Sequence, residues 1–227
     1  MHSLVKDLMT TQVVTVGPAT PFKEIVARLA EHRVSAAPVV DEAGRVLGVV
    51  SEADLLLKEE FPDPDQDIPL VLTKRRRLER EKAAGSTARD LMTVALVAIS
   101  PDATVAEAAR RLHRAQIKRL PVIGEGGRLV GIISRGDLLK VFNRPDHAIQ
   151  REILDDVIVG EFMMAPSRFF IHVADGEVVL QGQVERRSLI LHLVRAIHDV
   201  EGVVRVENRL AYDIDDVEPL LRAMAYP

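Results

Sequence analysis

Asp7-Leu8-Met9-Thr10 returns as Asp90-Leu91-Met92-Thr93, and the offset of 83 residues then holds without a gap to Asp54-Leu55-Leu56 and Asp137-Leu138-Leu139. Between those ends Pro18 maps to Pro101, Glu24 to Glu107, Leu29 to Leu112 and Pro38-Val39 to Pro121-Val122. Gly44-Arg45 maps to Gly127-Arg128, Gly48 to Gly131 and Ser51 to Ser134. A register shared over this length marks an internal duplication. In the first copy Val13–Val16 is a β-prone run ended by Gly17-Pro18. Phe22, Ile25, Val26 and Leu29 follow at helical spacing, and Val105, Ala108, Ala109 and Leu112 take the same places in the second. Pro38–Val40 and Val46–Val50 read as short apolar strands around a turn at Gly44, and a helix begins near Ser51. Each copy therefore predicts a βαββα unit. So small a unit buries too little surface to stand alone. Two copies are expected to pack face to face around one shared core, as a pseudo-twofold pair with clefts where they meet.

The composition suits such a core. Of 227 residues 47% are apolar and 28% charged, ordinary values for a globular chain with room for two compact domains. Aromatics reach only 4% and Trp is absent, so Val, Leu, Ile and Ala must fill the interior. A net charge of −4 gives no general attraction to nucleic acid or anionic membranes, and no nucleic-acid partner is expected. The lack of cysteine excludes disulfides, thiolate metal sites and cysteine nucleophiles, and fits a reducing compartment. The opening Met1–Asp7 carries no apolar run of a secretory signal, and no stretch approaches the length of a spanning helix; a cytoplasmic location is expected. The histidines show no metal-ligand spacing, and neither a nucleophile elbow nor a phosphate-binding Walker loop occurs, so neither catalysis nor a metal is expected.

The chemistry concentrates in Ser51-Glu52-Ala53-Asp54 and its copy Ser134-Arg135-Gly136-Asp137. Serine followed three residues later by an acid is a capping box, which satisfies free N–H groups at a helix start. The same place offers a partial positive charge to a phosphate, and a carboxylate that can accept two hydrogen bonds from a vicinal diol. Cap and ligand site are compatible readings. Between the copies, Leu57 to Thr87 is longer than a tight connection needs. Phe61-Pro62-Asp63-Pro64-Asp65 reads as a loop, and residues 74–84 as a charged helix. Residues 74–82 hold six basic and two acidic side chains, a net +4. Such a run is a solvated helix with internal Glu–Arg pairs, an anion-binding surface, or a source of phosphate contacts beside a cleft.

After Pro145 the register ends. Ile149, Ile153, Val157 and Phe162 fit an amphipathic helix, Arg168–Val173 and Glu177–Gly182 two strands, and Asp175-Gly176 the two-residue turn between them. A helix through Leu189, Leu193, Ile197 and Val200 ends at Gly202, before a strand over Val203–Leu210. The order is αββαβ.

The Asp-x-Met openings, the runs Val34-Ser35-Ala36-Ala37-Pro38-Val39-Val40-Asp41 and Ile117-Lys118-Arg119-Leu120-Pro121-Val122, and the Gly-x-x-Ser-x-x-Asp-Leu-Leu endings resemble a tandem pair of CBS (cystathionine-β-synthase) domains. The resemblance implies a regulatory, non-catalytic sensor that binds an adenosine-containing ligand (AMP, ADP, ATP or S-adenosylmethionine) in clefts between the repeats. It further implies that the motif aspartate holds the ribose diol, with the serine near the ribose or phosphates. One pocket would then join Ser134 and Asp137 to Val34, Ser35 and Val14; the other would join Ser51 and Asp54 to Ile117 and Val97. Lys118 and Arg119 are assigned to the Asp137 pocket, which is expected to prefer phosphorylated nucleotides, while the Asp54 pocket is expected to be weak, empty or suited to a less charged ligand. Flat homodimers are common in this family, so a homodimer is expected. Asp175-Gly176-x-Val178-x-Leu180-x-Gly182-x-Val184 and Val200-x-Gly202-Val203-x-x-Val206-x-Asn208-x-Leu210 resemble a BON domain, which implies a phospholipid or protein partner. The expected class is α+β. Its expected divisions are 1–57 and 88–145 for the repeats, 58–87 for the linker, 146–214 for the third module and 215–227 for a tail.

Overall fold

A computed structural model describes residues 3–61, 73–94 and 97–217. Most of the expected acidic loop, from Pro62 on, and the tail beyond Val217 lie outside these residues. The chain divides into two compact units, Leu4–Leu138 and Leu139–Pro227, with the first three residues assigned to the latter.

In the first unit α1 (Val5–Leu8) precedes α2 (Phe22–Glu31), β1 (Ala36–Val40), β2 (Val46–Ser51) and α3 (Glu52–Glu60). The linker forms α4 (Lys74–Ala84), and the second copy repeats the order with α5 (Ala88–Leu91), α6 (Val105–Arg114), β3 (Arg119–Ile123), β4 (Leu129–Ser134) and α7 (Arg135–Leu139). The duplication extends to the backbone. β1 and β2 pair antiparallel from Ala36 against Ser51, and β3 and β4 from Arg119 against Ser134, each with a bulge at the same place. Arg33 and Gln116, equivalent by the repeat, both adopt left-handed φ (53° and 54°) just beyond the ends of α2 and α6. The expected strand over Val13–Val16 contracts to a single parallel bridge from Val16 to Val39, matched by Ile99 to Val122.

The interior departs from one shared core. Two buried clusters exist, and each takes its opening segment from the other copy. Ala88 and Leu91 of the second copy lie fully buried among Val16, Ile25, Leu29, Val39 and Val50 of the first. Val5 of the first copy is buried among Ile99, Ala108, Leu112, Leu120, Val122 and Ile133 of the second. Backbone bonds fix the exchange: Val5 N–H donates to Ala103 O at 2.8 Å and Ala88 N–H to Thr20 O at 2.9 Å. Thr10 and Ile132 exchange bonds of 2.9 Å in both directions, and Thr93 and Val49 bonds of 2.8 and 3.2 Å. The first Gly of each Gly-x-x-Ser permits this crossing. A Cβ on Gly48 would stand 2.8 Å from Thr93 O, and one on Gly131 3.0 Å from Thr10 O. A capping box starts α5, where the Thr87 hydroxyl and the N–H groups of Thr87 and Ser86 hold the Asp90 carboxyl below the usual carboxylate range.

The second unit follows the expected αββαβ order. Helix α8 (Asp146–Glu152) continues into π turns over Ile153–Glu161 and buries Ile149, Ile153, Val157 and Ile158. Strands β5 (Phe169–Ala174) and β6 (Glu177–Arg186) form the hairpin, α9 (Arg187–His198) follows, and β7 (Arg205–Ile214) pairs parallel with β6 in the order β5-β6-β7. Asp175 and Gly176 take φ of 52° and 75°, the two left-handed positions a twist-matched hairpin turn requires. Leu180, Leu193 and Ile197 meet the helix in one apolar cluster. Among the described residues no helix is long and apolar enough to cross a membrane.

Candidate ligand-binding site

Each Ser-x-x-Asp closes the capping box its spacing predicts. At the start of α3, Ser51 Oγ and Ser51 N–H donate to Asp54 Oδ2 at 2.6 and 2.9 Å. At α7, Ser134 Oγ and N–H donate to Asp137 Oδ2 at 2.7 and 2.9 Å, and Asp137 N–H returns a bond to Ser134 Oγ at 3.2 Å. Both aspartates therefore carry a structural duty, with the serine N–H and Oγ bonds of each cap gathered on Oδ2.

Around Asp54 the copies enclose a cavity of about 420 Å³, ample for a nucleoside-sized ligand. Ser51 and Asp54 stand on one wall with Thr93; Ile117, Lys118 and Arg119 line it from the second copy. Val49, Val97, Pro121 and Ile132 supply apolar surface, and Ser35 and Ala36 complete it from the start of β1. The expected grouping of Asp54, Ser51, Ile117 and Val97 is thus present in space.

The expected place of the cations is not. Lys118 and Arg119, expected beside Asp137 of their own copy, both line the cavity of Asp54. Ser35, also expected with Asp137, lines that cavity too and accepts a 2.6 Å bond from Arg119 Nη1. Across the junction of the copies the start of β3 reaches the helix start of the first copy, and the start of β1 lines the same cavity. Sequence proximity points instead to a residue's own copy, where Arg119 is merely the strand partner of Ser134. Val34 packs beside the first apolar cluster, and Val14 lies on a separate open hollow with Thr15, Arg28, Glu31 and His32.

Four polar residues join the site without having been assigned to it, the first being the acidic Glu52 beside Ser51. Thr93 arrives as the last residue of the repeated Asp-Leu-Met-Thr, a signal visible in the register. Gln116 occupies the left-handed position after α6, which neither glycine nor asparagine betrays in the sequence. Lys82 comes from the basic linker helix: its Nζ donates to Asp54 Oδ1 and, at 2.7 Å, to Thr93 Oγ1. The charged segment thus does reach the cleft, one of the three readings its composition left open.

Chemically the cavity is mixed: Asp54 and Glu52 line it together with Lys118 and Arg119. A carboxylate already oriented by its cap can accept hydroxyl donors, and a guanidinium and an ammonium suit an anionic group through charge-assisted bonds. Val49, Val97, Pro121 and Ile132 offer aliphatic surface to a flat heterocycle.

Comparisons with known proteins agree with this architecture. The CBS domain model matches residues 5–59 and 88–144, and the BON domain model residues 147–213. An uncharacterized protein of Methanocaldococcus jannaschii, MJ1426, is 30% identical over 151 residues, which cover 60% of this chain and 89% of the relative. The CBS domain-containing protein YhcV of Bacillus subtilis is 31% identical over 136 residues, covering 60% and 83% respectively. The crystal structure of CBSX2 of Arabidopsis thaliana in complex with AMP superposes with a TM-score of 0.53 at 30% identity, over 60% of this chain and 94% of that one. Duplicated repeats, exchanged openings, paired capping motifs and these matches lead to one conclusion: the chain belongs to the CBS domain family, carrying a CBS domain pair followed by a BON domain.

Proposed function

We propose that this protein is a non-catalytic sensor of an adenosine-containing ligand, bound in the Asp54 cavity of the CBS pair. The observation that carries the reading is a cavity of about 420 Å³ whose lining combines Asp54 with Lys118 and Arg119. In this reading Asp54 accepts the ribose diol, Val97 and Ile117 flank the base, and Lys118 and Arg119 meet the phosphate. The grouping reverses the expected preference: the phosphorylated ligand belongs with Asp54 rather than with Asp137. The crystal structure of the similar CBSX2 contains AMP, which supports the ligand class. AMP, ADP, ATP and S-adenosylmethionine are the candidates, and the cation pair favours the three that carry phosphate.

The BON unit is assigned the output, through contact with a phospholipid surface or a protein. A homodimer in the cytoplasm fits this role, and the apolar side chains of Leu56 and Leu139, 64% and 62% exposed, are suited to a dimer contact. A second reading, a scaffold that needs no ligand, draws support from the complete capping boxes, which account for both Ser-x-x-Asp motifs structurally.

Thermal melting with each of the four candidates separates the two. A ligand at about 100 times its dissociation constant adds about 2.7 kcal/mol to the native state. A raised Tm with AMP that Asp54→Ala abolishes and Asp137→Ala leaves in place is the expected result. A melting curve indifferent to all four ligands would sink the sensor and leave the scaffold.

A further inference from the structure

The Asp54 carboxylate is occupied on both oxygens. Its cap takes Oδ2, and the Lys82 ammonium takes Oδ1 while also donating to Thr93 Oγ1 at 2.7 Å. The Lys82 and Asp54 side chains are only 19% and 13% exposed. A diol that bonds both carboxylate oxygens meets Oδ1 on the side the Lys82 ammonium already covers, and contends with it there.

Helix α4, which delivers Lys82, is held by polar contacts more than by a core, for Ala83 is its buried apolar residue. Arg76 pairs with Glu60 at 2.8 Å and lies 4.8 Å from the Phe61 ring centroid, and Lys58 Nζ donates to Ala83 O at 2.8 Å. Exposed ion pairs and cation–π contacts each contribute about 1 kcal/mol or less. The Lys82–Asp54 pair ties this helix to the site with both side chains largely shielded from solvent, so its loss weakens the docking of the segment.

Resting on the reading of Asp54 as the diol-binding residue, we propose that Lys82 is an internal competitor for the ligand site. The ammonium occupies the diol position in the free protein, and ligand entry displaces it and loosens α4. The +4 run of residues 74–82 thereby becomes the element that reports an occupied cavity.

The test is calorimetric titration of AMP and of 2′-deoxy-AMP into the full-length wild type, Lys82→Met and Asp54→Ala, joined to amide exchange across residues 74–84. Methionine keeps the length of the side chain without its charge. Competition predicts that Lys82→Met binds AMP about tenfold tighter, about 1.4 kcal/mol, with no gain for 2′-deoxy-AMP, which offers one hydroxyl where AMP offers two. It also predicts that AMP speeds exchange in α4 of the wild type. Equal or weaker AMP binding by Lys82→Met overturns the competitor while leaving the site intact, provided Asp54→Ala loses affinity. Equal affinity in all three proteins removes Asp54 as the diol residue, and with it the competitor. Binding to none of them overturns the nucleotide reading itself. Should Lys82→Met melt early, Lys82→Gln replaces it, and unchanged exchange of α4 in the wild type on AMP binding overturns the coupling independently.

Discussion

Arg119 stands where two separate demands meet. Its backbone opens β3 against Ser134, and its guanidinium donates to Ser35 Oγ at 2.6 Å across the junction of the copies. A serine hydroxyl is a weak substitute for an anion, so the guanidinium is held over the cavity with capacity left for a stronger acceptor. Arg119→Ala is expected to weaken AMP binding by about tenfold to a hundredfold, the worth of a hydrogen bond to a charged group. Adenosine, which lacks the phosphate, should bind the variant and the wild type alike. Calorimetry with the two ligands checks the difference, and an equal loss for both would assign Arg119 to the architecture of the junction rather than to phosphate. At this scale the sequence exposed the residue types well. Ser51, Asp54, Ile117, Lys118 and Arg119 stand in the quoted motifs, Val97 comes from the family resemblance, and all line one cavity. Their grouping was only half legible, because a side chain's partner across a pseudo-twofold is set by how the copies dock.

Among the elements, the inner strands illustrate what a repeat can impose. β2 and β4 each accept a segment of the other copy along one edge, and the first Gly of Gly-x-x-Ser is the point of closest approach. A methyl group on Gly48 would lie 2.8 Å from Thr93 O and 2.9 Å from Met92 Sδ. The sulfur can move, but the carbonyl is fixed by its bond from Val49 N–H. Gly48→Ala is therefore expected to destabilise the first unit by about 1–3 kcal/mol, the usual cost of forcing added bulk into a packed contact. Urea denaturation measures it; a stability within a few tenths of the wild type would show that the crossing strand can give way. The helices and strands themselves were legible from periodicity, down to the Asp175-Gly176 turn. The short α1 and α5 were not, since four residues carry no periodic pattern, and Val13–Val16 lost most of its strand because only Val16 finds a bridge to β1.

For the molecule as a whole, exchanged openings make each copy dependent on the other. The cluster of Ile25, Leu29, Val39 and Val50 is completed by Ala88 and Leu91, which lie beyond the linker. A fragment of residues 1–60 would leave that apolar wall open to water and lose the bonds from Ala88 and Thr93. It is expected to be unfolded by circular dichroism, whereas the pair 1–144 melts as one cooperative unit. A fragment 1–60 with a sharp thermal transition would contradict the exchange. The linker acquires a corresponding role: it carries the chain from α3 to α5 and brings Lys82 onto Asp54 on the way.

The sequence by itself determined the duplication, the α+β class, the two capping motifs, the order of the third module and its tight turn. These follow from local rules, namely periodicity, cap spacing and left-handed turn residues, together with a register that chance does not produce. Tertiary structure alone decided that there are two clusters rather than one, that Lys118 and Arg119 face Asp54, and that Lys82 occupies its carboxylate. Each of those depends on chain segments that are remote in sequence. A repeat states which residues are equivalent, but which copy's cluster an opening segment joins depends on how the copies pack and where crossing backbones find hydrogen-bond partners.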